Sequence, residues 1–246
     1  MTRSAGIDVG GTKCLAVVVD DSGDVVAHER VPTPVADELA DTLVRLLASL
    51  GGFDTVGVGV PGLITPQGVI RSSPNLSSAV ELPLGELLRS RLSVPVVIDN
   101  DATAAAYGEW SVGAGQGSSD MWMVTLGTGI GGGLVAGGQV QRGAHGFAGE
   151  IGHIVVEIDG QPCPCGLRGC WERYASGSAL SRLAGGEPGA SVVDRARRGD
   201  ADALSVVDRF ARYVAIGLVS LTNATDPEAL VIGGGVIESS EVVMPA

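Results

Sequence analysis

Positive charge is scarce in this chain of 246 residues, which has 16 Lys and Arg against 28 Asp and Glu, a formal net charge of −12. Such a surface repels phosphate backbones, which excludes broad nucleic-acid binding. Long apolar runs are also missing. No stretch approaches the roughly 20 residues that cross a bilayer, and none reads as the apolar core and cleavage site of a signal peptide. The cytoplasm is therefore the expected compartment. Cysteine is sparse, at four residues, and three of the four fall within "CPCGLRGC" at 163–170. A Walker A loop is absent too: no Gly-rich turn carries the Lys-Ser/Thr pair leading into a helix.

What the chain does have is apolar residues, at 45 %, and 38 glycines. The first mark a globular protein with a real core. The second cluster where strands turn, which is how backbone amides are presented to a phosphate.

"AGIDVGGTKCLAVVVDDSGDVVAHERVP" reads as an antiparallel meander of three strands. An amphipathic helix is expected over 37–50, then the apolar strand "TVGVGVPGLI", a short helix at "LPLGELLRSRL", and a buried strand feeding a helix at "VPVVIDNDATAAAYGEW". "MWMVTLGTGIGGGLVAGGQVQRG" then repeats the opening pattern, so that "DVGGTK" answers "LGTGIG". This internal repeat predicts two related α/β domains facing one another across a cleft, at 1–113 and 114–246, with a glycine-rich hinge near 110–117. Mostly helical segments follow the cysteines, and a last strand ends in "IGGGV".

Seven motifs occur in order: "DVGGTK", "GVGVPG", "NDATAAAYGE", "LGTGIGGG", "GEIGH", "CPCGLRGCWE" and "VIGGGV". Together they resemble the ROK family of sugar kinases within the actin-like ATPase superfamily, nearest to its zinc-containing bacterial glucokinases. The resemblance implies two actin-like (ribonuclease H-like) domains with the ligand cleft between them. It also implies transfer of phosphate from ATP to a hexose, with glucose first among the candidates. Fructose, mannose, N-acetylglucosamine and N-acetylmannosamine are the alternatives, and polyphosphate is a second possible donor. Relatives of this kind assemble as homodimers or homotetramers. They also carry several tens of residues beyond the "GGGV" strand, so the sequence is expected to stop short at its C-terminus, with poor solubility or reduced activity. A further alternative is a fragment of one of the family's sugar-responsive repressors without its DNA-binding domain, since those place a helix-turn-helix domain first and only six residues precede Ile7.

The resemblance also implies roles for individual residues, matched motif by motif. Gly10, Gly11, Thr12 and Lys13 would grip phosphates from one side and Gly127, Thr128 and Gly129 from the other, while Gly234 and Gly235 would let the purine approach. Asp8, at a strand end, suits Mg²⁺ directly or through water. The family pattern makes Asp101 the base that accepts the hydroxyl proton, with Asn100 on a neighbouring hydroxyl. Asp101 also stands where a helix N-cap would. Asp99 lies outside the pattern. Asn75, Glu150, His153 and Glu172 are the remaining expected sugar contacts, although serines follow Asn75 where relatives often carry a proline or an aromatic residue. Cys163 and Cys165 are too close in sequence for an unstrained disulfide. With Cys170 and His153 they supply three thiolates and an imidazole, the donor set of a closed structural Zn²⁺ site. Cys14, among apolar strand residues, reads as core.

Overall fold

The computed structural model describes residues 2–76 and 78–243. Two compact units divide the chain. The first comprises residues up to 104 together with 142–148. The second comprises 105–141 and 149 onward.

In the first unit, β1 (Ser4–Val9), β2 (Lys13–Val19) and β3 (Val25–Pro32) form the antiparallel meander. Ala5, Ile7 and Val9 alternate inward along β1 and leave Asp8 on the outer side. Helix α1 (Ala36–Ser49) buries Leu39, Leu43, Leu46 and Leu47, a stripe at helical spacing that covers the sheet. Next come β4 (Thr55–Val60), the short hairpin of β5 (Leu63–Ile64) and β6 (Ile70–Ser72), α2 (Leu84–Arg89) and β7 (Val96–Asn100). The five-stranded sheet runs β3-β2-β1-β4-β7, with β1, β4 and β7 parallel.

Helix α3 (Asp101–Val112) carries the chain from one unit to the other. The sequence reading put the domain change after residue 113; the compact units part within α3, after residue 104, and 142–148 return to the first unit. A continuous helix shows no break in sequence at the point where its packing changes.

The second unit repeats the topology. Strands β8 (Met121–Leu126), β9 (Ile130–Ala136) and β10 (Gln139–Gln141) form its meander. The parallel neighbour of β8 is β11 (Ala229–Gly233), which gives the order β10-β9-β8-β11. Between β10 and β11 lie a 3₁₀ turn at Ile151–His153, α4 (Glu172–Ala175), α5 (Gly177–Leu183), α6 (Gly189–Arg197) and the long α7 (Ala201–Thr225). A 3₁₀ segment (Gly235–Ser239) and α8 (Ser240–Val243) follow β11. Ser176 caps α5 through the Ala179 amide, and Asp200 caps α7 through that of Ala203. Each such cap is worth about 1 kcal/mol.

Trp171 anchors this unit. Its ring is fully buried and its indole N–H donates to the Tyr213 carbonyl of α7 at 2.6 Å. A Cβ on Gly217 would fall on that ring, so α7 approaches the tryptophan through a residue without a side chain. No helix among the described residues is long and apolar enough to cross a membrane.

Candidate active site and metal centre

Strand register brings together the site residues expected in the first unit. Asp8 pairs with Gly59 on β4, and Gly59 with Asp99 on β7, so the three occupy one row at the carboxyl ends of parallel strands. Open α/β sheets bind ligands at that edge. Asp101 follows as the first residue of α3. A Cβ at Gly59 would lie 3.3 Å from the Asp101 Cα, so the helix start can sit this close only over a glycine.

Desolvation by burial raises the Asp101 carboxyl above its ordinary value, and the negative charge of Asp8 adds to the rise; the Ala102 N–H, donating at 2.8 Å, opposes it. Asp8 is itself raised by desolvation, although its side chain reaches solvent, and Lys13 opposes that rise. Two carboxylates that each resist ionisation and repel one another form a donor set that a divalent cation relieves.

Asn100, expected on a sugar hydroxyl, is the N-cap of α3. Its Oδ1 accepts from the Thr103 N–H at 3.0 Å and its Nδ2 donates to the Gly62 carbonyl at 3.1 Å. The cap therefore belongs to Asn100, and the Asp101 carboxylate caps only its own neighbour, Ala102. Asp99 is held by Arg142, Nε to Oδ2 at 2.8 Å, and accepts from the Asn100 N–H. That ion pair ties the 142–148 segment to β7. Sequence reasoning missed Arg142 because its partner lies 43 positions away. Around the "GGTK" turn, the Gly10 N–H donates to the Lys13 carbonyl and the Thr33 hydroxyl to the Gly10 carbonyl. Asn75 stands beside Gly11, its Cβ 3.5 Å from where a Gly11 side chain would begin. Cys14 is fully buried, as read, with its sulfur 3.8 Å from the Thr33 hydroxyl.

In the second unit the Gly127–Gly129 turn joins β8 to β9. Its Gly127 carbonyl accepts from the Gly177 N–H at 2.7 Å, which fixes the turn to the start of α5. Glu172 Oε2 accepts from the Ile130 N–H at 2.9 Å, immediately after the turn. A hollow of about 610 Å³ opens beside this turn, walled by Gly127, Thr128, Gly177, Ala190, Gly235 and Val236. The structure thus brings Gly127 and Thr128 of the expected phosphate turn and Gly235 of "GGGV" onto one cavity, while Gly129 and Gly234 are not among its walls.

Glu150 precedes the 3₁₀ turn and His153 ends it, with Glu150 Oε2 3.9 Å from His153 Nε2. His153 Nδ1 points the other way, 3.7 Å from Cys163 Sγ. Cys165 and Cys170 bring their sulfurs to 3.6 Å, and all four donor atoms lie within 4.8 Å of one another. Donors bound at the usual zinc distances sit about 3.8 Å apart along a tetrahedron's edges. The His153 Nδ1–Cys163 and Cys165–Cys170 distances match that spacing within a few tenths of an ångström, and three thiols with one imidazole are a donor set that suits the ion. Burial and the neighbouring sulfurs push the Cys170 thiol up to about 12. The thiolates of such a cluster need a cation to balance them. A turn closed by the Gly166 N–H on the Cys163 carbonyl shapes the loop, and Trp171 pins its far end to α7.

A model of the ROK family matches residues 4–246. The chain belongs to the ROK family. It is 36% identical over 271 residues to the glucokinase of Streptomyces coelicolor, covering 99% of this chain and 85% of that protein. It is also 36% identical to the N-acetylmannosamine kinase of Yersinia pestis, over 96% of this chain and 84% of that one. Among solved structures it resembles the ROK glucokinase of Streptomyces griseus in complex with glucose and AMPPNP, with 37% identity, a TM-score of 0.85, and coverage of 98% of this chain and 86% of that one. This ROK chain therefore has the family's α/β fold, two actin-like, ribonuclease H-like units, each opening with the same meander.

Proposed function

We propose that this ROK protein transfers the terminal phosphoryl group of ATP to a hexose, with glucose giving glucose 6-phosphate. The observation that carries this reading is Asp101. It is a desolvated carboxylate at the carboxyl end of parallel strands, with its proton affinity raised toward the range a general base needs. Asp101 would accept the proton of the attacking 6-hydroxyl as that oxygen bonds to the γ-phosphorus and the bond to the ADP oxygen breaks. Asn75, Asn100, Glu150, His153 and Glu172 would meet the other sugar hydroxyls. Asn100 would do so with whatever donor and acceptor capacity its cap leaves.

Gly10, Gly11, Thr12 and Lys13 serve the phosphates in the first unit, and Gly127, Thr128 and Gly129 serve them in the second. The hollow beside Gly234 and Gly235 takes the purine. Asp8 would hold Mg²⁺, which when bound neutralises phosphate charge. His153 through Nδ1, with Cys163, Cys165 and Cys170, would hold a structural Zn²⁺, leaving the histidine's Nε2 for Glu150 and sugar. We place the enzyme in the cytoplasm, where ATP and reduced thiols coexist, as a homodimer or homotetramer without nucleic-acid or membrane partners.

The equal identity to an N-acetylmannosamine kinase supports a second reading, in which another hexose is preferred. Coupled ADP release over a panel of glucose, mannose, fructose, N-acetylglucosamine and N-acetylmannosamine separates the two. The highest kcat/KM is expected with glucose. Highest activity on an N-acetylated sugar moves the assignment to that reading, and sugar-independent ADP release overturns both.

A further inference from the structure

Glu172 was expected to touch sugar, yet its strongest visible bond is to the backbone of the other substrate's turn. Oε2 accepts the Ile130 N–H, the first amide after Gly127–Gly129. Gly129 has no room for a side chain, because its Cβ would fall on that same oxygen. The turn is closed on itself by the Gly127 N–H donating to the Gly129 carbonyl at 3.0 Å. It is also held from the far side by the Gly177 N–H on the Gly127 carbonyl. Both outside supports come from one short stretch, since Glu172 opens α4 and Gly177 opens α5. That stretch is anchored at both ends. Trp171 is buried on α7, and the Ser176 hydroxyl both donates to the Glu172 carbonyl at 2.9 Å and caps α5.

We infer that Glu172 is a positioning residue for the nucleotide: its Oε2 sets the conformation of the Gly127–Gly129 turn, while Oε1 stays available to a sugar hydroxyl. Among the described residues no hydrogen bond to Oε1 is seen, so the two oxygens divide the work. The inference rests on reading the turn as a phosphate grip. Sharing one carboxylate between both substrates couples them, and by linkage a sugar that orders Glu172 must tighten nucleotide binding by the factor that nucleotide tightens sugar.

The test is equilibrium binding of a fluorescent, non-hydrolysable ATP analogue without any sugar present, to wild type, Glu172→Ala, Glu172→Gln and Gly129→Ala. A residue that only touches sugar leaves these affinities alone. The alanine variant is expected to bind about tenfold more weakly, the scale of one lost hydrogen bond to a charged acceptor. Glu172→Gln keeps a carbonyl oxygen for the Ile130 N–H and should stay within about twofold of wild type, while losing sugar affinity. Gly129→Ala leaves the carboxylate but takes its place, and should weaken nucleotide much as Glu172→Ala does. If Glu172→Ala does not fold, the other two variants decide, with Gly129→Ala weak and Glu172→Gln near wild type. Nucleotide affinity of Glu172→Ala or Gly129→Ala equal to wild type overturns the inference while leaving the turn's assignment standing. A wild-type chain that binds no nucleotide overturns both.

Discussion

The two units begin with the same device, a meander whose first strand gains a parallel neighbour and whose first turn is rich in glycine, but they hold that turn differently. In the first unit the support is local: the Gly10 amide on the Lys13 carbonyl and the hydroxyl of Thr33, the residue after β3, on the Gly10 carbonyl. In the second the support is remote. The Gly127–Gly129 turn rests on Glu172 and Gly177, which lie beyond the cysteine loop that has no counterpart in the first unit. The difference shows where the fold invests. The first unit spends its strand ends on carboxylates and needs only a simple turn. The second carries no aspartate at the carboxyl ends of β8 and β11, and its glycine turn is held by Glu172 and Gly177, which follow an inserted, metal-suited loop.

Breaking the insertion should do the most damage. Gly217→Leu drives a side chain into the Trp171 ring. It is expected to cost the several kcal/mol typical of overpacking or of losing a buried tryptophan, seen as a fall in the urea midpoint. An unchanged midpoint would mean that Trp171 does not pin the loop. Next in size, Cys165→Ala should drop bound zinc from about one ion per chain to near none by elemental analysis, with weaker glucose binding as Glu150 and His153 lose their support. Wild-type protein without zinc would remove the metal from the account.

The first unit should answer to smaller changes. Gly59→Ala places a methyl 3.3 Å from the Asp101 Cα, tighter than ordinary contact. Turnover should fall roughly tenfold with little change in stability, because a few tenths of an ångström matter to a base more than to a core. If melting falls and turnover does not, the glycine serves packing alone.

The smallest effect is one of pH. A carboxyl raised in the folded state binds its proton more tightly there than in the unfolded chain. Asp101 therefore disfavours folding once pH exceeds its folded value, and this cost disappears as pH falls through that value toward the ordinary 3.8. Asp101→Asn should then melt slightly higher than wild type at neutral pH, with the gap closing in acid. A lower melting point at neutral pH would contradict the desolvation argument.

The repeat was legible because strand alternation and glycine turns are local signals, and both meanders lie where the pattern put them. Donor sets built from near neighbours were legible as well: the four zinc-suited residues span 153–170 and converge. The contacts that position the chemistry were not. Glu172 and Ile130 are 42 residues apart, and Arg142 and Asp99 are 43 apart. Nothing in the intervening sequence encodes their meeting. Asn100 was read for its side chain's affinity for hydroxyls, but the fold uses that side chain first as a cap. Helix α6 escaped a specific reading because only Val192, Val193 and Ala196 of its nine residues face the core.

The account rests on a proposed division of labour in which the first unit supplies the base and shares the donor's phosphates, while the second takes the donor's purine. Asp101→Asn tests it most directly, measured for glucose-dependent ADP release alongside equilibrium binding of glucose and of the ATP analogue. Turnover is expected to fall about 10²–10⁴-fold while both affinities stay within a few-fold of wild type. Near-normal turnover would take Asp101 out of the reaction. A collapse of nucleotide affinity would show that the two units do not divide the work in this way.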